Sequence, residues 1–325
     1  MRLRLRNALI SALLAALAGP ASAQTSDTLV LRMAAMSAVS GLEDAMADSL
    51  LAAVPGSALD RAGNVVWTRG TGDPVRIAIC PMDEIGYVVG GITSDGYLTL
   101  RRVGTTPASP LFDQFLEGQR VTVFGRRGAV AGVVGVRSTH LTRGRTGGAD
   151  DPFSLDNAYV DVGAVSAAEA GGLGIEVLAP VTRAKRPHRY GPSGLLVAAP
   201  FAGARAACAA LVSAARRAPA GAGTTIVAFT RRRHYANDGA SFVLIDRGTG
   251  VPAANIVLVG GTTAGSGLGG GPQSSADSVG VASGFQQVTA WALPARYPRT
   301  PVETVSLADV AQLEQRLVGF LGGAR

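Results

Sequence analysis

Lysine is nearly missing from this sequence: Lys185 stands alone against 29 arginines. Aromatic residues make up 5% of the chain, and no stretch interleaves them with basic residues as a nucleic-acid groove requires. The net charge of +7 therefore reads as an arginine-rich composition, with no nucleic-acid partner. Two cysteines, Cys80 and Cys208, are too few for a disulfide framework in a chain this long. Both sit in apolar strand and helix patterns, so they read as small buried hydrophobes. Only His140, His188 and His234 are on hand as imidazole ligands for a metal. Beyond residue 23, no segment offers about 20 uninterrupted apolar residues, which leaves no membrane span.

The N-terminus has a recognisable pattern. Arg2, Arg4 and Arg6 precede a mostly apolar stretch, residues 8–18, and then Ala21-Ser22-Ala23. That is the order of a secretory signal peptide over residues 1–23, so the expected mature chain starts at Gln24 and is exported to the periplasm or beyond. Its removal leaves 27 basic residues against 23 acidic ones.

Apolar residues at helical spacing predict a first helix over 39–54, and alternation predicts strands over 65–67 and 75–81. A hairpin follows to Leu100 through the turn Ser94-Asp95-Gly96. After Gly104 the composition changes to short β runs (120–124, 129–136, 158–162) between glycine-rich turns, which reads as an inserted β module over 105–190. A helix over 204–217, strands over 224–230, 241–246 and 255–259, a glycine-rich loop over 260–272 and a last helix capped by Ser306 complete the pattern. The fold class is α/β, with an α/β domain formed by 24–104 and 191–325 and interrupted by the β module.

The strings "VSGLED", "LDRAGNVV", "MDEIGYVVGGITSDGYL", "LEGQRVTVFGRRG", "GVVGVRSTHL", "AYVDVGAVSAAEAGGLGI", "LGGGP" and "RYPRTPVETVSLADVAQL" occur in order along the chain. Together they resemble the tetrahedral, or glutamyl, aminopeptidase family of dizinc exopeptidases. The resemblance implies a three-layer zinc-peptidase sandwich with a mixed sheet, an inserted PDZ-like β-barrel and assembly into homo-oligomers.

It also implies where the chemistry belongs. A dizinc hydrolase needs carboxylate and imidazole ligands around two metal ions and a carboxylate base for the attacking water. The family's first histidine ligand falls on Pro81, and the aspartate that orients it is Asp83, followed by Glu84. The bridging aspartate falls on Gly203, two before the retained Arg205. The Gln-Glu-Glu stretch falls on Arg232, Arg233 and His234, with the base at Arg233. The last histidine falls on Arg299, and Asp246, at the end of the strand expected over 241–246, is the one ligand retained.

An arginine stays protonated and offers only donors, so it serves neither as base nor as metal ligand. The sequence thus predicts an exported, catalytically silent aminopeptidase homologue without a cofactor, which binds a peptide or small anion or serves in an assembly. The alternative is a working metallo-hydrolase with a rebuilt zinc site, for which Asp246 and His234 are the residual ligands. Asp83 and Glu84 read as an acid pair or as a fold relic. Arg233 and Arg299 are expected to neutralise Asp83 and Asp246 in the cleft. The basic run 183–189 reads as a hinge between module and core.

Overall fold

The computed structural model describes residues 21–104, 110–135, 153–263, 268, 271–281 and 284–323. Residues 1–20, His140 and residues 264–267 and 269–270 of the glycine-rich loop expected over 260–272 lie outside them. The chain enters through α1 (Ala21–Ala34) and α2 (Asp44–Ala53). The sequence pattern left α1 unrecognised. Its buried residues Leu29, Val30, Met33 and Ala34 recur one helical turn apart.

The strands β1 (Ala58–Leu59), β2 (Val65–Arg69) and β3 (Val75–Pro81) lead into β4 (Gly86–Ile92) and β5 (Leu98–Val103). Next come β6 (Arg120–Gly125), β7 (Gly128–Val134), β8 (Val160–Asp161), the short helix α3 (Ala167–Gly172) and β9 (Pro180–Arg183). These strands close a barrel in the order β4-β5-β8-β7-β6-β9 around Tyr87, Leu98, Leu100, Leu116, Val123 and Val181. The barrel therefore takes in β4 and β5, which the expected boundary at residue 105 had assigned to the α/β domain. Apolar alternation marks β4 and β5 as strands without naming their partners, and it is the pairing of β4 with β9 that draws them into the barrel.

The chain returns through β10 (His188–Tyr190), β11 (Leu196–Ala198), α4 (Ala202–Arg217) and β12 (Thr224–Thr230). It continues with α5 (Asp238–Arg247), β13 (Ile256–Thr263), β14 (Gln273–Val281), β15 (Gly284–Pro294), β16 (Thr304–Ser306) and α6 (Leu307–Gly322). The main sheet has the order β1-β2-β12-β3-β13-β15-β14, with β12, β3, β13 and β15 parallel and the outer strands antiparallel.

Both faces of this sheet are covered, as a parallel core requires. Ala78, Cys80, Val227, Phe229, Val257 and Val259 pack toward α4 and α6. Their neighbours Ile77, Ile79, Ile226, Ala228, Ile256 and Leu258 pack toward α5. The result is the expected three-layer sandwich with a mixed sheet. The segment 241–246 is helical, however, and not a strand. Its run of Phe, Val, Leu and Ile suits a strand, but Gly239, Ala240, Val243 and Leu244 are buried at helical spacing while Ile245 is exposed.

Cys80 and Cys208 form a disulfide that ties β3 to α4 across a sequence separation of 128 residues, and both are fully buried. The reading of them as free hydrophobes is corrected by topology. Strand and helix meet with these Cα atoms 5.5 Å apart, within bonding reach, although the sequence keeps them far apart. A cross-link over so long a loop restricts the unfolded chain strongly. The double change Cys80→Ala/Cys208→Ala is therefore expected to lower the unfolding free energy by about 3–5 kcal/mol. Denaturant melts of the oxidised parent and the variant measure it.

Candidate functional site

The site lies where β3 ends, between the sheet and the barrel. Pro81, the last residue of β3, pairs in parallel with Thr230, and the next amide, Met82 N–H, donates to Thr230 O at 2.9 Å. Asp83 and Glu84 then turn the chain into β4. They bind the segment after α1: Glu84 N–H donates to Ala38 O at 2.8 Å, and Ser40 N–H donates to Glu84 O at 3.1 Å. Gly86 is required here, since a Cβ would collide with Val39.

Glu84 is fully enclosed. Its Oε1 accepts from Ala38 N–H at 3.2 Å, and its Oε2 accepts from Lys185 Nζ and lies 3.1 Å from Arg205 Nη2. Burial pushes the Glu84 carboxyl up, but Lys185 and Arg205 override it and hold it below the usual carboxylate range. Burial also lowers Lys185, to about 8, with Glu84 opposing and Arg205 assisting the shift. Arg205 donates through Nη1 to Met82 O, and its Nε has no partner among the described residues. The basic run 183–189 connects the barrel strand β9 to β10, and it is partly enclosed: the side chains of Arg183 and Lys185 are buried, Arg183 donating to the carbonyls of Phe112 and Phe115, while Arg186, His188 and Arg189 are exposed.

Asp83 is buried beside this group. Its Oδ2 accepts from Ser40 Oγ and, at 3.2 Å, from the His234 amide, while Oδ1 has no partner among the described residues. Burial lowers the His234 imidazole, Asp83 and Glu84 oppose the shift, and Arg233 and Arg299 reinforce it. The outcome is a neutral ring at pH 7. Glu303, in the turn before β16, caps the N-terminus of α4 by accepting from Gly203 N–H at 2.7 Å, and it accepts from Arg299 N–H at 2.8 Å. Its carboxyl is raised by burial. Glu43 holds the far side, accepting from Arg232 N–H at 3.0 Å and from Gly41 N–H at 2.9 Å.

Asn64 fixes the loop that carries the arginines. Fully buried, it accepts from Arg231 N–H at 3.0 Å and donates to Gly239 O at 3.1 Å. Seven non-glycine residues have positive φ among those described, and all but Leu178 lie in the three segments that frame the site: Phe201, then Arg232, Ala236 and Asn237, then Tyr297 and Arg299. Conformations of this kind cost of order 1–3 kcal/mol each and persist where surrounding contacts over-determine them.

Of the residues singled out from sequence, Asp83, Glu84, Arg205 and His234 converge, with Arg233 and Arg299 close enough to act on His234. Asp246 does not. It sits on the outer face of α5, half exposed, 3.2 Å from Arg247. The next strand after β12 is β13, Ile256–Thr263, which carries no carboxylate. The expected pairing of Asp83 and Asp246 with Arg233 or Arg299 is corrected accordingly. The enclosed carboxylate is Glu84, and its cations are Lys185 and Arg205. Sequence reasoning missed Lys185, Ser40, Glu43 and Glu303. The single lysine standing among Arg183, Arg186 and Arg189 was the one available signal.

The donor set does not suit a pair of zinc ions. Pro81 and Gly203 offer no ligand, Arg233 and Arg299 are cations, and no three His, Cys, Asp or Glu side chains converge on a metal position among the described residues.

Residues 63–242 match the model of the M42 glutamyl aminopeptidase family. Among curated relatives, a putative aminopeptidase of Escherichia coli, SgcX, is 37% identical over 160 residues, 46% of this chain and 40% of that one. The lysyl aminopeptidase of Pyrococcus furiosus is 31% identical over 185 residues, 54% of this chain and 49% of that one. The matched part thus spans less than half the length of either relative. Among solved structures, an aminopeptidase of the archaeon Desulfurococcus kamchatkensis superposes with a TM-score of 0.77 at 19% identity, covering 92% of this chain and 95% of that one. The Pyrococcus horikoshii TET1 peptidase, described as assembling into a tetrahedron or a large octahedral shell, superposes with a TM-score of 0.76 at 21% identity, covering 91% and 99%. At such identities the superpositions establish the fold.

Two outcomes follow for the buried charges. Lys185→Met leaves the Glu84 carboxylate short of a partner and is expected to cost about 3–5 kcal/mol, whereas Arg101→Ala, at the exposed Arg101–Asp156 pair, leaves the unfolding midpoint unchanged. Because the Lys185 ammonium is easier to deprotonate in the folded chain than in the unfolded one, the unfolded chain binds the extra proton between pH 8 and pH 10.5. Parental stability relative to Lys185→Met should therefore rise across that window, as denaturant melts at stepped pH will show.

Proposed function

Because the chain belongs to the M42 glutamyl aminopeptidase family, we propose that it is a catalytically silent member, exported from the cell, whose former metal cleft is a charge-paired junction. The observation that carries this reading is the Glu84–Lys185–Arg205 group, in which two cations occupy the neighbourhood of the ligand positions. Water attack on a peptide needs a base with a free lone pair, and a guanidinium at position 233 has none to offer. Arg233 and Arg299, with the neutral His234 between them in charge terms, favour an anionic group such as a peptide carboxylate at the mouth of the site. Export is supported by the basic-apolar-small pattern of residues 1–23 and by the buried disulfide, which suits an oxidising compartment. Self-association into a homo-oligomer is part of the same reading, on the analogy of the TET1 assemblies.

A rebuilt hydrolase is the second reading. It is favoured by the buried Asp83 oxygen with no partner and by the strained backbone around it, features that occur at working active sites. Purified protein grown with zinc distinguishes the two. Under our reading, elemental analysis finds far less than two zinc equivalents per chain, and aminoacyl-p-nitroanilides are not hydrolysed. Two tightly held zinc ions with chelator-sensitive turnover would establish the alternative. Light scattering at micromolar concentration is expected to give a mass several times that of the 32.9 kDa chain, and a monomer would end the assembly proposal.

A further inference from the structure

A second concavity of the described structure lies away from this site. It is a groove of about 500 Å³ between α1 and α2, closed at one end by Arg216 near the end of α4. Arg216 is eleven residues beyond Arg205, about 16 Å along the helix, so the groove and the charge-paired junction occupy opposite ends of α4. The volume is in the range of small-molecule sites.

Its lining is unusual for this chain. The sequence has five methionines, and three of them line the groove, Met36 half-buried at its surface and Met33 and Met46 buried beneath it with Leu29 and Leu50. Unbranched thioether side chains adapt their shape to a flexible apolar guest. The charge at the rim has one sign. Arg32 and Arg216 line the groove and no aspartate or glutamate does. Arg32 is exposed and makes no ion pair or hydrogen bond among the described residues, while Arg216, also exposed, donates through Nε to Ala53 O at 2.6 Å, with no hydrogen bond from its terminal nitrogens among the described residues.

We propose that this groove binds an amphiphile with an unbranched acyl chain and an anionic head, the chain against the methionines and the head on Arg32 and Arg216. The apolar segment of the chain's own residues 8–18 fits less well, because Arg2, Arg4 and Arg6 would bring further positive charge to a cationic rim. A neutral apolar peptide would leave both guanidinium groups without a counter-charge. The chemistry is shared by free fatty acids and by anionic membrane lipids, and the experiment separates these sources.

Isothermal titration with dodecanoate below its micelle concentration should show one site per chain. Dodecyltrimethylammonium, with the same tail and the opposite charge, should bind at least tenfold more weakly. Arg32→Glu and Met36→Glu, one exposed and one half-buried, should each weaken dodecanoate at least tenfold, while Arg61→Glu, outside the groove, should leave it unchanged. Circular dichroism melts of the variants verify that they remain folded. Co-sedimentation with phosphatidylglycerol vesicles but not phosphatidylcholine vesicles identifies a membrane lipid as the source of the ligand; titration without co-sedimentation identifies a free acid. No binding to either, equal affinity for the cationic analogue, or full affinity in both groove variants overturns the proposal.

Discussion

The Glu84 carboxylate is the constraint on which the junction between the two parts of the molecule depends. It sits at the turn from β3 into the barrel and is reached by the segment after α1, by Lys185 where the barrel chain returns, and by Arg205 from α4. Four stretches of chain, distant in sequence, therefore converge on one buried negative charge. A lone carboxylate in that position would be costly, and two cations with one amide make it tolerable. Burial, with a smaller contribution from Arg205, explains why Lys185 gives up its proton more easily than a solvated lysine, even with an acid at hydrogen-bond distance.

The disulfide acts beside this junction and on the same elements. Cys80 precedes Pro81 on β3, and Cys208 lies one helical turn beyond Arg205 on α4. Here a covalent bond and a buried ion pair link that strand and helix. Glu303 adds a third tie, since it caps α4 at Gly203 while holding Arg299 N–H. Rigidity at this point thus has three sources in the protein's own residues, around which the core is closely packed.

Much of the fold was legible in the residues. The strand over 224–230 and the last helix follow directly from period and capping, because their apolar patterns are long and their ends carry clear signals. The segment 241–246 was misread because its β-branched and aromatic residues suit either state, and only burial against β3 and β12 selects the helix. That misreading displaced Asp246 from a supposed strand end to an exposed helix face, so a local ambiguity became an error about the site. Lys185 received no role for a related reason: nothing in a basic hinge segment names a partner until the barrel folds its return strand against Glu84.

The sequence by itself determined the alternation of helices and strands and the presence of a β module, since those follow from periodicity, while the layers and the positions at which ligands were expected rested on the resemblance to the aminopeptidase family. It also determined that Arg233 cannot act as a base, because protonation of guanidinium is intrinsic to the residue. Tertiary structure decided which charges meet. Whether Asp83, Asp246 or Glu84 lies among cations, and whether two cysteines 128 residues apart bond, depends on how strand ends and helices are brought together. Electrostatic and covalent partnerships of that kind fall off within a few ångströms, and separation along the chain does not encode separation in space.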